Sequence, residues 1–125
     1  MAQPLLLTYN LDPDTQAHLE ALCNRQGIRV RRVKPWEYGQ SIGALAGIPA
    51  GASAAPTAGF SEAMLVMCHM LGPQLDAFLT GMRKDGIPRI ALKAILTPSN
   101  IAWNSVQLHA ELAREHEAVN KRVQS

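Results

Sequence analysis

Seven consecutive residues, MLVMCHM at positions 64–70, bring together three methionines, a cysteine and a histidine. Thioether, thiolate and imidazole groups are ligands that copper(I) and zinc accept in proteins, so the segment raises the question of a metal site. Side chains of an extended strand alternate between its two faces, which separates Cys68 from His69 and divides the ligands. Because methionine also fills protein cores readily, the segment predicts a buried strand, and we expect neither a metal site nor a cofactor.

Four polar residues follow predicted strands, at the positions where parallel-sheet proteins bind ligands. They are Asn10, His69, Thr97 and Asn100. An imidazole at such a place can accept a phosphoryl group or a proton, and amide and hydroxyl groups can hold a ligand by hydrogen bonds. We therefore expect these four side chains to line a groove at the carboxyl ends of the first, third and fourth strands.

The sequence contains no complete set of catalytic residues. It has no GxGxxG or GxxxxGK[ST] phosphate-binding motif and no GxSxG nucleophile motif. We assign no catalytic residue, and the interpretation leans away from an enzyme.

Two continuous apolar runs, at positions 5–9 and 63–68, predict strands that are buried on both faces. Charged residues interrupt the runs at positions 28–33 and 87–96, which is typical of strands at the edge of a sheet. The central strands are therefore predicted to be the first and the third.

Helix signals separate these strands. Asp12 before Pro13 predicts the start of the first helix, and Gly27 its end. A further helix is expected after Gly72, and the last helix is expected to begin at Ser99.

Alternating strands and helices are typical of a parallel sheet with helices on its faces. We predict an α/β fold of three layers, with a four-stranded, mostly parallel sheet in the order 2-1-3-4, like a short flavodoxin-like fold. Residues 1–125 are predicted to form one domain, with a flexible loop rich in Gly, Ala and Pro at about 47–60.

Composition narrows the classes of partner. A net charge of +2 is too small to indicate nucleic-acid binding. Aromatic residues are not interleaved in the basic strip, which consists of Arg25, Arg29, Arg31, Arg32 and Lys34. The N-terminal apolar run is too short for a membrane span or a signal-peptide core. Cys23 and Cys68 show no paired spacing, so we expect a cytoplasmic protein with reduced thiols.

Trp36 and Trp103 are candidate anchors of a protein interface. The favoured interpretation is a non-enzymatic protein-interaction or regulatory accessory module that binds a partner protein or itself. The alternative is a small-ligand-binding or phosphotransfer-like module that uses the predicted groove.

Three segments of the chain resemble a family of small bacterial proteins known as the domain of unknown function DUF3783. They are LLLTYN, GIRVRRVKPWEYGQSIGALAG and IALKAILTPSNIAWNSVQLHAELAREHE. The most specific motifs are IG-x-L-x-G at 42–47 and LKA-x-x-T-x-x-N-x-x-W at 92–103. The resemblance implies no activity, but it directs attention to Lys93, Thr97 and Asn100 near the start of the last helix.

Overall fold

The structure is a computed structural model that describes residues 3–48 and 59–124. Most of the loop predicted at about 47–60 lies outside the described residues. Strands and helices follow each other in the order β1 (Leu5–Tyr9), α1 (Pro13–Arg25), β2 (Arg29–Arg32), α2 (Ile42–Leu45), β3 (Met64–Cys68), α3 (Gly72–Lys84), β4 (Leu92–Ile95) and α4 (Ser105–Gln124), with a 3₁₀ turn at Pro35–Glu37 before α2.

The four strands form one sheet in the predicted order, β2-β1-β3-β4. β1 and β2 are parallel, and so are β3 and β4. The central pair, β1 and β3, is antiparallel, with Leu7 opposite Val66. The α/β class and the strand order are confirmed, whereas the prediction of a mostly parallel sheet is wrong because the sheet is mixed.

The connections between the strands show where the chain direction changes. α1 and α3 have 13 residues each, so each spans about 20 Å and returns the chain to the end of the sheet where the preceding strand began. β3 instead begins at the end of the sheet where β1 finishes, with Met64 opposite Tyr9, so it runs antiparallel to β1.

Two cores lie on opposite faces of the sheet. On one face, α1 and α3 contribute Leu19, Leu22, Phe78 and Met82 to the core that contains Leu6, Leu65 and Met67. On the other face, α2 and α4 contribute Ile42, Leu45 and Leu108 to the core that contains Leu7, Met64, Val66 and Cys68. The predicted alternation of the MLVMC residues between two faces is thus confirmed, while Met70, beyond the strand, packs with Met67.

Local sequence signals predict the start of α1 correctly but not the start of α4. Asp12 accepts a hydrogen bond from the Thr15 amide at 2.8 Å, which confirms it as the N-cap of α1. The prediction that α4 begins at Ser99 is wrong, because residues 98–102 form a turn and the helix begins at Ser105. Asn104 caps α4 instead, since its Oδ1 accepts from the Gln107 amide at 2.8 Å and Gln107 Oε1 accepts from the Asn104 amide at 2.9 Å.

Both cysteines are free and buried. Burial raises the pKa of each thiol to about 12, and for Cys23 the Glu20 carboxylate adds to the rise. We predict that Ellman's reagent labels Cys23 and Cys68 near pH 8 only as fast as the protein unfolds, because the reactive thiolate is absent from the folded state. Rapid, complete labelling of native protein would contradict this.

The same pKa shifts predict a loss of stability at alkaline pH. Above the ordinary thiol pKa of 9.0, the unfolded chain releases the two thiol protons while the folded chain retains them. The free energy of unfolding should therefore fall as the pH rises from about 9 toward 12. Urea titrations of a Cys23→Ala/Cys68→Ala variant should show a shallower fall over this range than the wild type.

Candidate functional site

The predicted site residues do not meet at one groove. Because β1 and β3 are antiparallel, their carboxyl ends lie at opposite ends of the sheet along the strand direction. His69 and Thr97 line one groove, whereas Asn10 lines a crevice at the other edge. Asn100 is buried beneath the turn after β4 and lines neither. The ligand-binding roles of these residues remain predictions, but a groove shared by the ends of β1, β3 and β4 does not form.

The groove at the carboxyl ends of β3 and β4, called here the apolar groove, has a volume of about 780 Å³. Leu71 and Ile95 on its rim are 79% and 44% exposed. None of the residues that line it is acidic or carries a Lys or Arg side chain. They are Pro4, Ile48, His69, Met70, Leu71, Gln74, Ile95, Leu96, Thr97, Pro98 and Ile101.

His69 follows β3 directly and lies in the left-handed region, with φ +60°. Its Nε2 lies 3.4 Å from the Ala46 carbonyl oxygen, a weak contact, and within the described ranges no carboxylate pairs with the ring. An acid–base or phosphoacceptor histidine needs a partner that orients its ring and sets its basicity. The geometry therefore gives His69 no catalytic support.

Lys93, Thr97, Asn100 and Trp103 are the polar and aromatic residues of the LKA-x-x-T-x-x-N-x-x-W motif, and the last three hold the connection between β4 and α4. Thr97 donates its amide to Asn100 Oδ1 at 2.9 Å, and Asn100 donates its amide to Thr97 Oγ1 at 3.2 Å. Lys93 donates to the Ile90 carbonyl oxygen at 2.6 Å, and burial lowers its pKa. Trp103 packs against the α2–α4 core, and its carbonyl oxygen accepts from the Ile42 amide at 2.7 Å.

A second depression, called here the polar crevice, lies at the carboxyl ends of β1 and β2 and has a volume of about 360 Å³. It opens where β1 leads to α1 on one face of the sheet and β2 leads to the 3₁₀ turn and α2 on the other. Such a divergence is where open α/β sheets bind ligands. Its lining is Thr8, Asn10, Leu11, Pro13, Gln16, Arg32, Val33, Lys34 and Pro35.

Two buried polar atoms of the polar crevice have no hydrogen-bond partner in the described structure. They are Thr8 Oγ1 and Gln16 Nε2, on residues that are 2% and 7% exposed. Leaving such a group unpaired costs about 1–3 kcal/mol, so native proteins rarely keep one without a role. Sequence reasoning missed both residues. Thr8 lies within the apolar run at 5–9, and Gln16 lies four residues after the helix cap Asp12. Neither pattern reveals whether a polar group has a hydrogen-bond partner.

Carboxylates near the polar crevice are already bonded. Asp12 accepts from the Thr15 amide and hydroxyl, and these bonds lower its pKa. Burial alone would raise the pKa of Glu37, but hydrogen bonds from the Lys34 amide and the Arg31 guanidinium lower it overall. Lys34 adds positive charge at the rim, and this charge also contributes to lowering the pKa of Glu37.

The Asn10 side chain, which lines the polar crevice, makes three hydrogen bonds. Its Nδ2 donates to the Phe60 carbonyl oxygen at 2.9 Å and to the Glu62 carbonyl oxygen at 3.1 Å. Its Oδ1 accepts from the Tyr38 hydroxyl at 3.2 Å, and its φ is +56°. The side chain holds the segment before β3 against the end of β1.

The remaining expectations concern the surface. Trp36 is 80% exposed in the 3₁₀ turn next to the polar crevice, as an interface residue would be, although its role stays a prediction. No cluster of three or more His, Cys, Asp or Glu residues able to hold a metal ion occurs in the part of the chain that the structure describes. Within that part, no helix has the length and apolar character required to cross a membrane.

The two residues with positive φ should respond differently to glycine. His69→Gly removes the cost of a left-handed non-glycine residue and loses only a weak contact, so its free energy of unfolding should rise by about 1 kcal/mol. Asn10→Gly gains the same backbone relief but loses three hydrogen bonds, and it should be less stable than the wild type. Urea unfolding measures both, and equal losses would refute the distinction.

Comparison with known proteins agrees with part of the resemblance. Residues 63–119 match the family model of a domain of unknown function, DUF3783. No curated protein and no solved structure matches the chain. The matched range contains β3, α3, β4 and most of α4, together with the LKA-x-x-T-x-x-N-x-x-W motif. β1, α1, β2 and the IG-x-L-x-G segment lie outside it. Residues 63–119 of this chain are therefore similar to the domain of unknown function DUF3783, the family that the sequence resembles.

Proposed function

We propose that this protein is a small-ligand-binding module whose polar crevice holds an oxyanion group, a phosphate or a carboxylate. The observation that carries the proposal is the pair of buried, unpaired atoms, Thr8 Oγ1 and Gln16 Nε2, in the lining of the crevice. A bound oxyanion would accept hydrogen bonds from both and would remove the cost of leaving them unpaired.

Hydrogen-bonding capacity favours an anion over a neutral ligand. The amide of Gln16 and the ammonium of Lys34 are donors, and the Thr8 hydroxyl can donate as well. Arg32 adds positive charge at the rim, although its guanidinium also pairs with Glu20 at 2.7 Å. The Asn10 side chain is committed on both its oxygen and its nitrogen. The free polar groups of the crevice thus match a ligand rich in acceptors.

The fold itself does not require polar residues at these two positions. Thr8 is the fourth residue of β1, and the fourth residue of β3 is Met67. Gln16 is the fourth residue of α1, and the fourth residue of α3 is Leu75. Met67 and Leu75 both pack into an apolar core, so the same backbone accommodates apolar side chains there.

The proposal concerns binding and not catalysis. No imidazole and no carboxylate is among the residues that line the polar crevice, so the Thr8 hydroxyl has no neighbouring general base of that kind. A phosphotransfer role would need His69, which lies at the other edge of the sheet. A non-enzymatic accessory module of the cytoplasm, where buried thiols stay reduced, fits these features.

Thermal unfolding with and without inorganic phosphate or succinate tests the proposal. At a concentration 100 times its Kd, a bound anion should stabilise the wild type by about 2.7 kcal/mol. A Thr8→Val/Gln16→Leu variant should be more stable than the wild type without anion, because two unpaired polar groups are removed, and it should show no response to anion. Thr80→Val, on α3, is the matched control and should respond like the wild type.

Two outcomes would contradict this expectation. One is a wild type that no tested anion stabilises, and the other is a double variant that responds as strongly as the wild type. Lys34→Gln separates charge from hydrogen bonding, since it should weaken binding most at low salt, where screening is least.

A second candidate function is self-association through the apolar groove. Leu71 and Ile95 are exposed beside a groove whose lining carries no acidic, Lys or Arg side chain, and exposed apolar side chains grouped in this way mark interaction sites. We propose a second copy of the chain as the partner. An uncharged groove presents no like-charge repulsion to its own copy, and the Leu71 side chain of each copy can enter the groove of the other by two-fold symmetry.

Analytical ultracentrifugation tests the second candidate. The wild type should sediment with twice the mass of the 13.6 kDa chain. Leu71→Lys should be monomeric, because a buried, unpaired ammonium opposes the contact. Trp36→Lys, which changes an exposed aromatic residue outside the groove, should remain a dimer. A monomeric wild type at high concentration, or a dimeric Leu71→Lys variant, would rule out this interface.

A further inference from the structure

We infer that residues 5–45 are a diverged second copy of the unit formed by residues 64–108, and that the two copies associate like the protomers of a two-fold-symmetric dimer joined in one chain. The strand, helix and strand of each unit have 5, 13 and 4 residues. Adding 59 to a residue number in β1 or α1 gives its equivalent in β3 or α3. Adding 63 gives the equivalent from Arg29 onward, because the second unit has four more residues before its last strand.

The equivalence extends to unusual backbone conformations. Asn10 and His69 are equivalent, and they are the two described non-glycine residues with positive φ, at +56° and +60°. Gly27 and Gly86 are equivalent as well, with φ +72° and +68°. Left-handed residues are uncommon, so their occurrence at matching places in both units is specific evidence.

Hydrogen bonds repeat in the same way. The Val33 amide donates to the Thr8 carbonyl oxygen at 3.0 Å, and the equivalent bond, from Leu96 to Met67, is also 3.0 Å. After each second strand, a side chain accepts from the backbone amide three residues earlier, at 3.0 Å from Lys34 to Glu37 and at 2.9 Å from Thr97 to Asn100.

The next helix of each unit is capped at an equivalent position. Ser41 accepts from the Ala44 amide, and Asn104 accepts from the Gln107 amide. The two caps also face each other across an isolated antiparallel bridge, Ser41 to Asn104. A contact between equivalent residues is what a two-fold axis produces.

The contacts between the two units are arranged symmetrically about such an axis. Leu7 pairs with its own equivalent, Val66, and the register continues from this centre in both directions, with Leu5 opposite Cys68 and Tyr9 opposite Met64. On one face of the sheet, α1 and α3 meet where Leu22 approaches its equivalent, Gly81. A Cβ placed on Gly81 would lie 2.7 Å from Leu22 Cδ1.

The two sites also correspond. Asn10, Leu11, Arg32, Val33, Lys34 and Pro35 line the polar crevice, and their equivalents His69, Met70, Ile95, Leu96, Thr97 and Pro98 line the apolar groove. The backbone thus forms the same depression twice, and the side chains differ. The 64–108 unit contacts the rest of the chain through β3 and α3. We infer that this surface fits a second unit of the same fold, and residues 5–45 supply that unit here.

Exchange of residues at the axis tests this inference. Two-fold symmetry requires Leu at 81 and Gly at 22 to fill the same space that Leu22 and Gly81 fill now. Leu22→Gly and Gly81→Leu should each lower the urea midpoint, and the Leu22→Gly/Gly81→Leu variant should regain most of the loss. A double variant that is no more stable than the worse single variant would overturn the inference. If a single variant does not fold, the midpoint of the double variant still decides between these outcomes.

A milder exchange at the centre of the sheet provides a second measurement. Leu7 and Val66 are both fully buried, so Leu7→Val and Val66→Leu should each shift the urea midpoint downward. The double exchange should return the midpoint to the wild-type value within error. Losses that add in the double variant would show that the two positions are not related by an axis, and would overturn the inference independently of any ligand.

Discussion

The antiparallel pairing of β1 with β3 is the interaction on which the rest of the molecule depends. Both strands are central and almost entirely buried, with Leu7 opposite Val66 and without exposed surface at either residue. This pairing sends the carboxyl ends of the two parallel pairs to opposite edges of the sheet. Each pair therefore opens its own depression, and residues that a parallel sheet would bring together, such as Asn10 and His69, are separated.

Given one backbone pattern used twice, the side chains determine what each depression can bind. Met67 and Leu75 complete an apolar core at one edge. Thr8 and Gln16 place polar atoms at the corresponding points of the other edge, where nothing in the described structure pairs with them. Their cost to folding is of the same order as the net contribution of several hydrogen bonds, which is a large share of the stability of a small domain. The proposed oxyanion ligand would offset that cost, whereas core packing does not.

Sequence patterns predicted what is local and missed what depends on long-range pairing. The continuous apolar runs identified β1 and β3 as central strands, and Asp12 and Gly27 marked the limits of α1. Such a run has no direction, however, so it could not reveal that β3 is antiparallel to β1. Ser99 is a residue type that often caps helices. However, residues 98–102 form a turn in which Asn100 donates to the Ile95 carbonyl oxygen, and α4 begins only at Ser105. The sequence could not reveal that Thr8 Oγ1 and Gln16 Nε2 lack hydrogen-bond partners either, because that depends on tertiary contacts.

The position of the family match sharpens the argument about function. Thr97, Asn100 and Trp103 make contacts that hold the β4–α4 connection, and Lys93 bonds to the segment before β4. A resemblance based on these residues therefore reports an architecture rather than a ligand. The residues of the polar crevice lie outside the matched range of 63–119. If residues 5–45 are a diverged copy of the matched unit, the same depression carries hydrogen-bond donors and positive charge in the first unit, as the polar crevice. In the matched unit it is the apolar groove. The chemistry that distinguishes this protein is then to be found in the half that the family model does not match.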